Sequence, residues 1–498
     1  MKLVSTRSSN IQVSSAEAIV SGLSAGGGLF APSALPEFSL ADISALSEKS
    51  YSQLTAAVAA PFLSDFTEEE LNSLCALAYK NFPSKVAPLV SLDDKTHVLE
   101  LFHGPTLAFK DFALQLLPYL LSASLKKLGI NKTAVILAAT SGDTGSAALE
   151  GFSSVPGTKV CVFYPESGVS AIQRLQMTTQ AGENTKVIGI KGNFDDAQSA
   201  VKKIFTEIKE NENLSNSDYL FTSANSINWG RIVPQIAYYF SAYTSLIGSG
   251  KIKLGDSVNV AVPTGNFGNI LAAYYAKKSG LPMNKLICAS NANNVLTDFI
   301  NTGIYNKNRE FYATISPSMD ILISSNLERF LFELTDKNAN AVKEFMSSLA
   351  DTGCYEIDGS AKCLMSKLFH AGFANDSETE YTINKIWKEH GYLCDTHTAV
   401  GLKVYEDYVS KTQDNTPTLI ASTASPFKFA DNVLKALGET AYGDDFEKLS
   451  KLSKVSIMNV PTILASLEKK EENHKIICEP EQMKTHVFDW LNIKNKKI

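Results

Sequence analysis

Ala134-Val135-Ile136-Leu137-Ala138-Ala139-Thr140-Ser141-Gly142-Asp143-Thr144-Gly145-Ser146 begins as an unbroken apolar run, passes through glycines and hydroxyls, and enters the helical stretch Ser146 to Phe152. An apolar run without alternation suits a strand buried on both faces, which is the habit of parallel sheets. The same order repeats outward from it. Lys159-Val160-Cys161-Val162-Phe163-Tyr164 reads as a strand closed by Pro165, Ser170 to Gln180 as a helix, Thr185 to Ile190 as a strand and Asp195 to Lys209 as a helix. Further on, Ser257-Val258-Asn259-Val260-Ala261-Val262 and Leu286 to Ser290 are strands on either side of a Gly/Asn-rich turn and a helix. Upstream, Val98-Leu99-Glu100-Leu101 is strand-like, and a helical run extends from Phe112 to Leu128, ending at Gly129. This alternation predicts the α/β class, a parallel sheet covered by helices.

The flanks differ. Residues 1–90 read as a helical region: Ile19 and Leu23 share one face of a short helix, Leu40 to Ala60 is apolar at helical spacing, and Thr67-Glu68-Glu69-Glu70 is a capping box before Leu71. Pro83 and Pro88 mark the boundary to an α/β region over 91–440, and 441–498 forms a helical extension. Within it Glu468 to Glu472 is expected to be a solvated helix face and Lys494-Asn495-Lys496-Lys497 a frayed tail; Asn211-Glu212-Asn213 is an exposed turn.

A chain of 498 residues exceeds one ordinary core, so two or three domains are expected. Its net charge of −6 argues against nucleic acid as the main partner. No apolar run reaches the roughly 18 residues of a membrane span, and Met1-Lys2-Leu3-Val4-Ser5-Thr6-Arg7 has no apolar signal core. The seven cysteines are odd in number, scattered and without a C-x-x-C pair, which fits reduced thiols in the cytoplasm. The seven histidines show no ligand spacing, so no metal site is expected.

Four segments can carry chemistry. Leu101-Phe102-His103-Gly104-Pro105-Thr106-Leu107-Ala108-Phe109-Lys110-Asp111-Phe112 sets a lysine between two phenylalanines. Most such lysines only lay their stems on apolar surface, but burial disfavours the charged form and makes the amine a nucleophile for a Schiff base. Thr140 to Ser146 is either a capped tight turn or a cradle of N–H groups for a small carboxylate at a helix N-terminus. Pro263-Thr264-Gly265-Asn266-Phe267-Gly268-Asn269 lacks acidic residues and suits a phosphate, or is simply a structural turn. Late in the chain, the strand Thr418 to Ser422 runs into Thr423-Ala424-Ser425-Pro426, a hydroxyl at a strand's C-terminal end. Together a reactive lysine, a phosphate cup, a carboxylate turn and a hydroxyl for a ring nitrogen describe the needs of pyridoxal phosphate.

His103-Gly104-Pro105-Thr106-x-x-Phe109-Lys110-Asp111, Thr140-Ser141-Gly142-Asp143-Thr144-Gly145 and Gly265-Asn266-Phe267-Gly268-Asn269 resemble the threonine synthases, and the likeness runs from Ser5-Thr6-Arg7 to Lys428. Ser223 to Arg231 and Asp395 to Gly401 also look like family segments. The resemblance implies a fold type II pyridoxal phosphate enzyme with two parallel-sheet α/β domains. It implies Lys110 as the Schiff-base lysine, Gly265, Asn266, Phe267 and Asn269 around the cofactor phosphate, Thr423 at the pyridine nitrogen and Asp143 near the phenolic oxygen. Ser141 and Thr144 would hold the substrate carboxylate, and Arg231, a planar bidentate donor, the substrate phosphate. The reaction implied is O-phospho-L-homoserine and water to L-threonine and phosphate, by elimination and water addition, in a monomer or small homo-oligomer. The rival is a phospho-amino-acid lyase or serine/threonine dehydratase of the same fold. Two positions depart from the family: Ser425 stands where many members have histidine, and Ala25 where an aspartate often precedes the paired glycines.

Overall fold

The computed structural model describes the chain apart from Ser84, Ser141, Gly168 and residues 211–216 and 494–498. Two parallel sheets dominate. The larger has six strands in the order Phe369–Phe373, Met283–Ser290, Val258–Pro263, Thr418–Ser422, Thr96–Glu100 and Leu89–Ser91. All are parallel except the edge strand Leu89–Ser91, which runs antiparallel to Thr96–Glu100. The smaller sheet has five parallel strands, Ile476–Cys478, Thr185–Ile190, Thr158–Pro165, Thr133–Ala139 and Tyr219–Thr222. Val135, Ile136, Leu137 and Ala138 are buried, as the lack of alternation in the run predicts.

The N-terminal region is helical, with four α-helices whose N-caps are Ser14, Ser39, Ser50 and Thr67. Each closes a capping box; Thr67 N–H donates to Glu70 Oε2 at 2.8 Å and Glu70 N–H to Thr67 Oγ1 at 3.2 Å. The region also holds a small antiparallel sheet, Ser8–Val13, Leu3–Ser5 and Phe30–Pro32, too short to show in the sequence pattern. Leu23 falls beyond the first helix, which ends at Ser21 under a Gly22 cap, and is exposed rather than core-facing.

The helical run after Lys110 is broken. One helix spans Lys110–Leu114 and a second Leu117–Lys127, with Pro118 in the first turn of the second. Proline lacks an N–H and is best tolerated there, and the single helix expected from Phe112 becomes two. The short first helix carries the lysine and lies against the helix Asp143–Phe152, with Gly151 at the contact. A Cβ on Gly151 would overlap the Leu114 carbonyl oxygen. Gly151→Ala is therefore expected to destabilise the protein by about 1–3 kcal/mol through overpacking, read as a lowered urea midpoint; an unchanged midpoint would show that the two helices can part without cost.

The extension beyond residue 440 is not wholly helical. Ile476–Cys478 adds a parallel strand to the smaller sheet beside Thr185–Ile190. Glu468 to Glu472 is not a helix face either: after a 3-10 turn Leu467–Lys469 the chain extends, and Glu472 accepts from Arg174 and from Thr178 Oγ1 at 2.8 Å. The turn expected at 211–213 and the lysine-rich tail from Lys494 lie outside the described residues.

Candidate active site

The site is built where strands Thr96–Glu100 and Thr418–Ser422 end side by side. Leu101 N–H donates to Ser422 O, and Phe109 N–H to Thr423 O, each at 2.9 Å; Ser425 N–H donates to Leu107 O at 3.1 Å. Residues 101–109 are thus laced onto 422–425, and Thr423 is fixed beside the residue that precedes Lys110. The loop also closes on itself. Buried Asp111 accepts from Thr106 N–H at 2.8 Å and Thr106 Oγ1 at 2.6 Å, and Gly104 leaves room for its carboxylate. Burial pushes the Asp111 carboxyl up to about 6 in spite of these two bonds.

Lys110 Nζ lies 3.4 Å from Asp143 Oδ2 and 3.4 Å from Ser318 Oγ. Burial lowers its proton affinity; Asp143 works the other way, and the cations Lys428 and Arg231 add to the lowering. Asp143, in the first turn of its helix, also takes Lys428 Nζ at 2.7 Å and Gln173 Nε2 at 3.2 Å, both on Oδ1. Burial would raise its carboxyl, but Lys428 and then Lys110 hold it well below the usual carboxylate range. Lys428, whose side chain is fully buried, donates as well to Thr106 O at 2.9 Å. One buried carboxylate therefore faces two lysines, and the second cation keeps it ionised without needing the proton of the first.

The second Gly-rich turn follows the strand Val258–Pro263 and starts the helix Gly268–Lys278. Gly265 is required by close approach, since a Cβ there would sit 2.7 Å from Ser318 O. Asn266 O accepts from Asn326 N–H at 3.1 Å and Asn326 Nδ2 at 2.9 Å. Phe267 takes the left-handed conformation, φ 60°, and turns its ring into the core against Phe330 and Phe369, so it offers the site backbone and no side chain. Asn269 Oδ1 accepts from the hydroxyls of Tyr238, at 2.6 Å, and Tyr239, which fixes the orientation of the amide. Its Nδ2 is buried and has no partner among the described residues.

Arg231 is the second buried donor left over. Its Nη1 donates to Ala224 O at 2.7 Å, its Nε has no partner, and no ion pair among the described residues includes it. Burial alone pulls the guanidinium down to about 10. Thr144 is half-buried in the first turn of the helix Asp143–Phe152; Ser141 lies outside the described residues. Ser425 is a buried turn residue, its Oγ accepting from Phe427 N–H at 3.4 Å. The departure from histidine thus falls on a residue engaged with its own backbone.

Ser318 and Lys428 complete the surroundings of Lys110. Lys428, which the sequence offers beside Arg231 as a donor to the leaving phosphate, is engaged with Asp143 and Thr106 O. Ser318 sits on the 3-10 turn Pro317–Met319, with no strand before it to advertise a site. Among the described residues, a buried amide donor without a partner and, beside a lysine of lowered proton affinity, a guanidinium without an acidic partner fit a phosphate-bearing aldehyde and an anionic substrate. Among the described residues no cluster of His, Cys, Asp and Glu is arranged to hold a metal, and no helix is long and apolar enough to cross a membrane.

Comparison with known proteins accords with this geometry. The family model "Threonine synthase N terminus" matches residues 2–79, "Pyridoxal-phosphate dependent enzyme" residues 87–372, and "Threonine synthase, C-terminal" residues 398–487. Human threonine synthase-like 1 is 41% identical over 438 residues; the match takes in 84% of this chain but only 58% of that protein's length. Threonine synthase of Saccharomyces cerevisiae is 38% identical over 487 residues, covering 90% of this chain and 93% of the yeast protein. The crystal structure of PLP-bound threonine synthase from Brucella melitensis superposes with a TM-score of 0.88 at 37% identity, over 98% of this chain and 99% of that one. The yeast enzyme's structure gives 0.88 at 35% identity, over 99% of each chain. The chain belongs to the threonine synthase family of pyridoxal phosphate-dependent, fold type II enzymes.

Proposed function

We propose that this protein converts O-phospho-L-homoserine and water to L-threonine and phosphate, with Lys110 as the lysine that carries pyridoxal phosphate. The observation that carries the choice of a phosphorylated substrate is Arg231, a buried guanidinium without an acidic partner, close enough to Lys110 to depress its proton affinity. A dehydratase acting on serine or threonine brings only the carboxylate assigned to Thr144 and Ser141 and no second anion for Arg231, and an unpaired buried charge is costly.

Pyridoxal phosphate, when bound, supplies a conjugated ring that spreads the negative charge developing on the substrate carbons. Gly265, the Asn266 and Phe267 backbone and Asn269 Nδ2 would hold its phosphate, Thr423 its ring nitrogen, and Asp143 its phenolic side. The protein's own residues do the rest. Burial keeps Lys110 in a form able to take the Cα proton of the substrate. Thr144, in the first turn of the helix Asp143–Phe152, receives the substrate carboxylate together with Ser141. Loss of a Cβ proton supplies the electron pair that expels the γ-phosphate, to which Arg231 donates as its bond to carbon breaks; a proton returns at Cγ, water adds at Cβ, and reprotonation at Cα completes threonine. The seven cysteines are all free, which supports a reducing, cytoplasmic setting; the assembly proposed is a monomer or small homo-oligomer.

Arg231→Met is expected to lower kcat/KM for O-phospho-L-homoserine by about 10²–10³-fold, the scale of a lost charge-stabilising donor, while pyridoxal phosphate still attaches at Lys110. Wild-type kcat/KM in that variant would remove Arg231 from the substrate site.

A further inference from the structure

The Lys110 amine has two neighbours at equal distance, and only one of them is a charge. Asp143 Oδ2 and Ser318 Oγ each lie 3.4 Å from Nζ. A carboxylate favours the ammonium form of a lysine, whereas a hydroxyl can donate to an amine's lone pair or accept from its N–H. A lysine that must accept a proton during turnover needs a partner for its neutral form.

Ser318 is placed with unusual care for a half-buried serine. Its N–H donates to His397 Nε2 at 3.1 Å. That bond makes Nε2 the lone-pair nitrogen, so Nδ1 carries the proton and donates to Asp395 Oδ1 at 2.9 Å. Asp395, fully buried, also accepts from His397 N–H at 2.8 Å and from Thr398 Oγ1. On its other side the turn is pinned by Asp320, which accepts from Thr314 N–H at 3.0 Å, Asn291 Nδ2 at 2.7 Å and Asn293 Nδ2 at 3.0 Å. The Ser318 carbonyl rests on Gly265, where no Cβ would fit. Asp143 is less free: its Oδ1 is already shared by Lys428 and Gln173.

We propose that Ser318 is the positioning residue that holds the neutral amine of Lys110, and that His397, oriented by Asp395, keeps it in place. The proposal rests on Lys110 being the cofactor lysine, and its test separates the two. Apo-protein is mixed with pyridoxal phosphate, growth of the visible absorbance of the covalent link is followed by stopped flow, and the link is trapped with borohydride and mapped. Ser318→Ala is expected to slow the link about tenfold, the scale of one hydrogen bond, with the label still on Lys110. Ser318→Thr keeps the hydroxyl and is expected to stay within about threefold of wild type on the same scale. In turnover, Ser318→Ala is expected to lower kcat with KM unchanged. Linkage at the wild-type rate in Ser318→Ala, or equal slowing in Ser318→Thr, overturns the role of Ser318. A label on another lysine in the wild type overturns the Lys110 reading and this inference with it.

Discussion

Lys110→Ala is expected to abolish the visible absorbance of covalently held pyridoxal phosphate and to reduce threonine formation by more than about 10³-fold. The size of the effect follows from two roles in one atom. On the proposed reading Nζ is both the site of attachment and the base that takes the substrate's Cα proton. No other lysine can substitute easily: Lys428, the next amine, is locked by Asp143 at 2.7 Å and Thr106 O at 2.9 Å. Added small primary amines are expected to restore a fraction of the activity by filling the space the side chain leaves. Spectra of the loaded variant, with steady-state rates with and without methylamine, check this. An undiminished absorbance, trapped on another lysine, would contradict it.

The second large effect is expected from Asp143→Asn. Its carboxylate is the only charge of its sign in contact with both Lys110 and Lys428 among the described residues. Removing it leaves two buried cations facing each other, and breaking a buried pair from one side costs about 3–5 kcal/mol. Urea unfolding of the apo-protein reads this without interference from the cofactor. Lys428→Met in the same chain is expected to return part of the loss, because the two changes share one interaction. The pH dependence has a definite sign. The folded carboxyl is held below its unfolded value of about 3.9, so its stabilisation is present above that pH and is lost as pH falls below it. The gap between wild type and variant should therefore hold from neutral pH down to about pH 4 and close on further acidification. Equal stability at neutral pH would mean that the lysines shed their protons or find other partners.

Much of the fold was legible because buried parallel strands write long apolar runs, and Ala134 to Ala139 is the plainest of them. The turns at their ends were legible jointly and not singly: each alone could be a structural turn, but with Lys110 and Thr423 they meet the needs of one cofactor. What escaped was either short or spatially assembled. Ile476–Cys478 is a strand only because Thr185–Ile190 offers it an open edge. Glu472 reads as one more charge in a charged run until Arg174 and Thr178 meet it. Pro118 was visible, but whether a proline breaks a helix or starts another depends on the register around it. Ser318 has no local signature at all, because it reaches Lys110 through a turn pinned by Asn291, Asn293, Asp320 and His397, residues spread over about a fifth of the chain's length. The identity of Asn269 as an unpaired donor likewise needed Tyr238 and Tyr239, which occupy its oxygen.

The most direct measurement of the central claim is turnover of O-phospho-L-homoserine by the pyridoxal phosphate-loaded protein in H₂¹⁸O, with products identified by mass spectrometry. Elimination followed by water addition breaks the carbon–oxygen bond, so phosphate leaves with its own four oxygens and threonine takes its hydroxyl from solvent. The account predicts threonine and phosphate in equal amounts, with the label in the threonine hydroxyl and none in phosphate. Phosphate accompanied by a keto acid and ammonia, or labelled phosphate accompanied by homoserine, would contradict it.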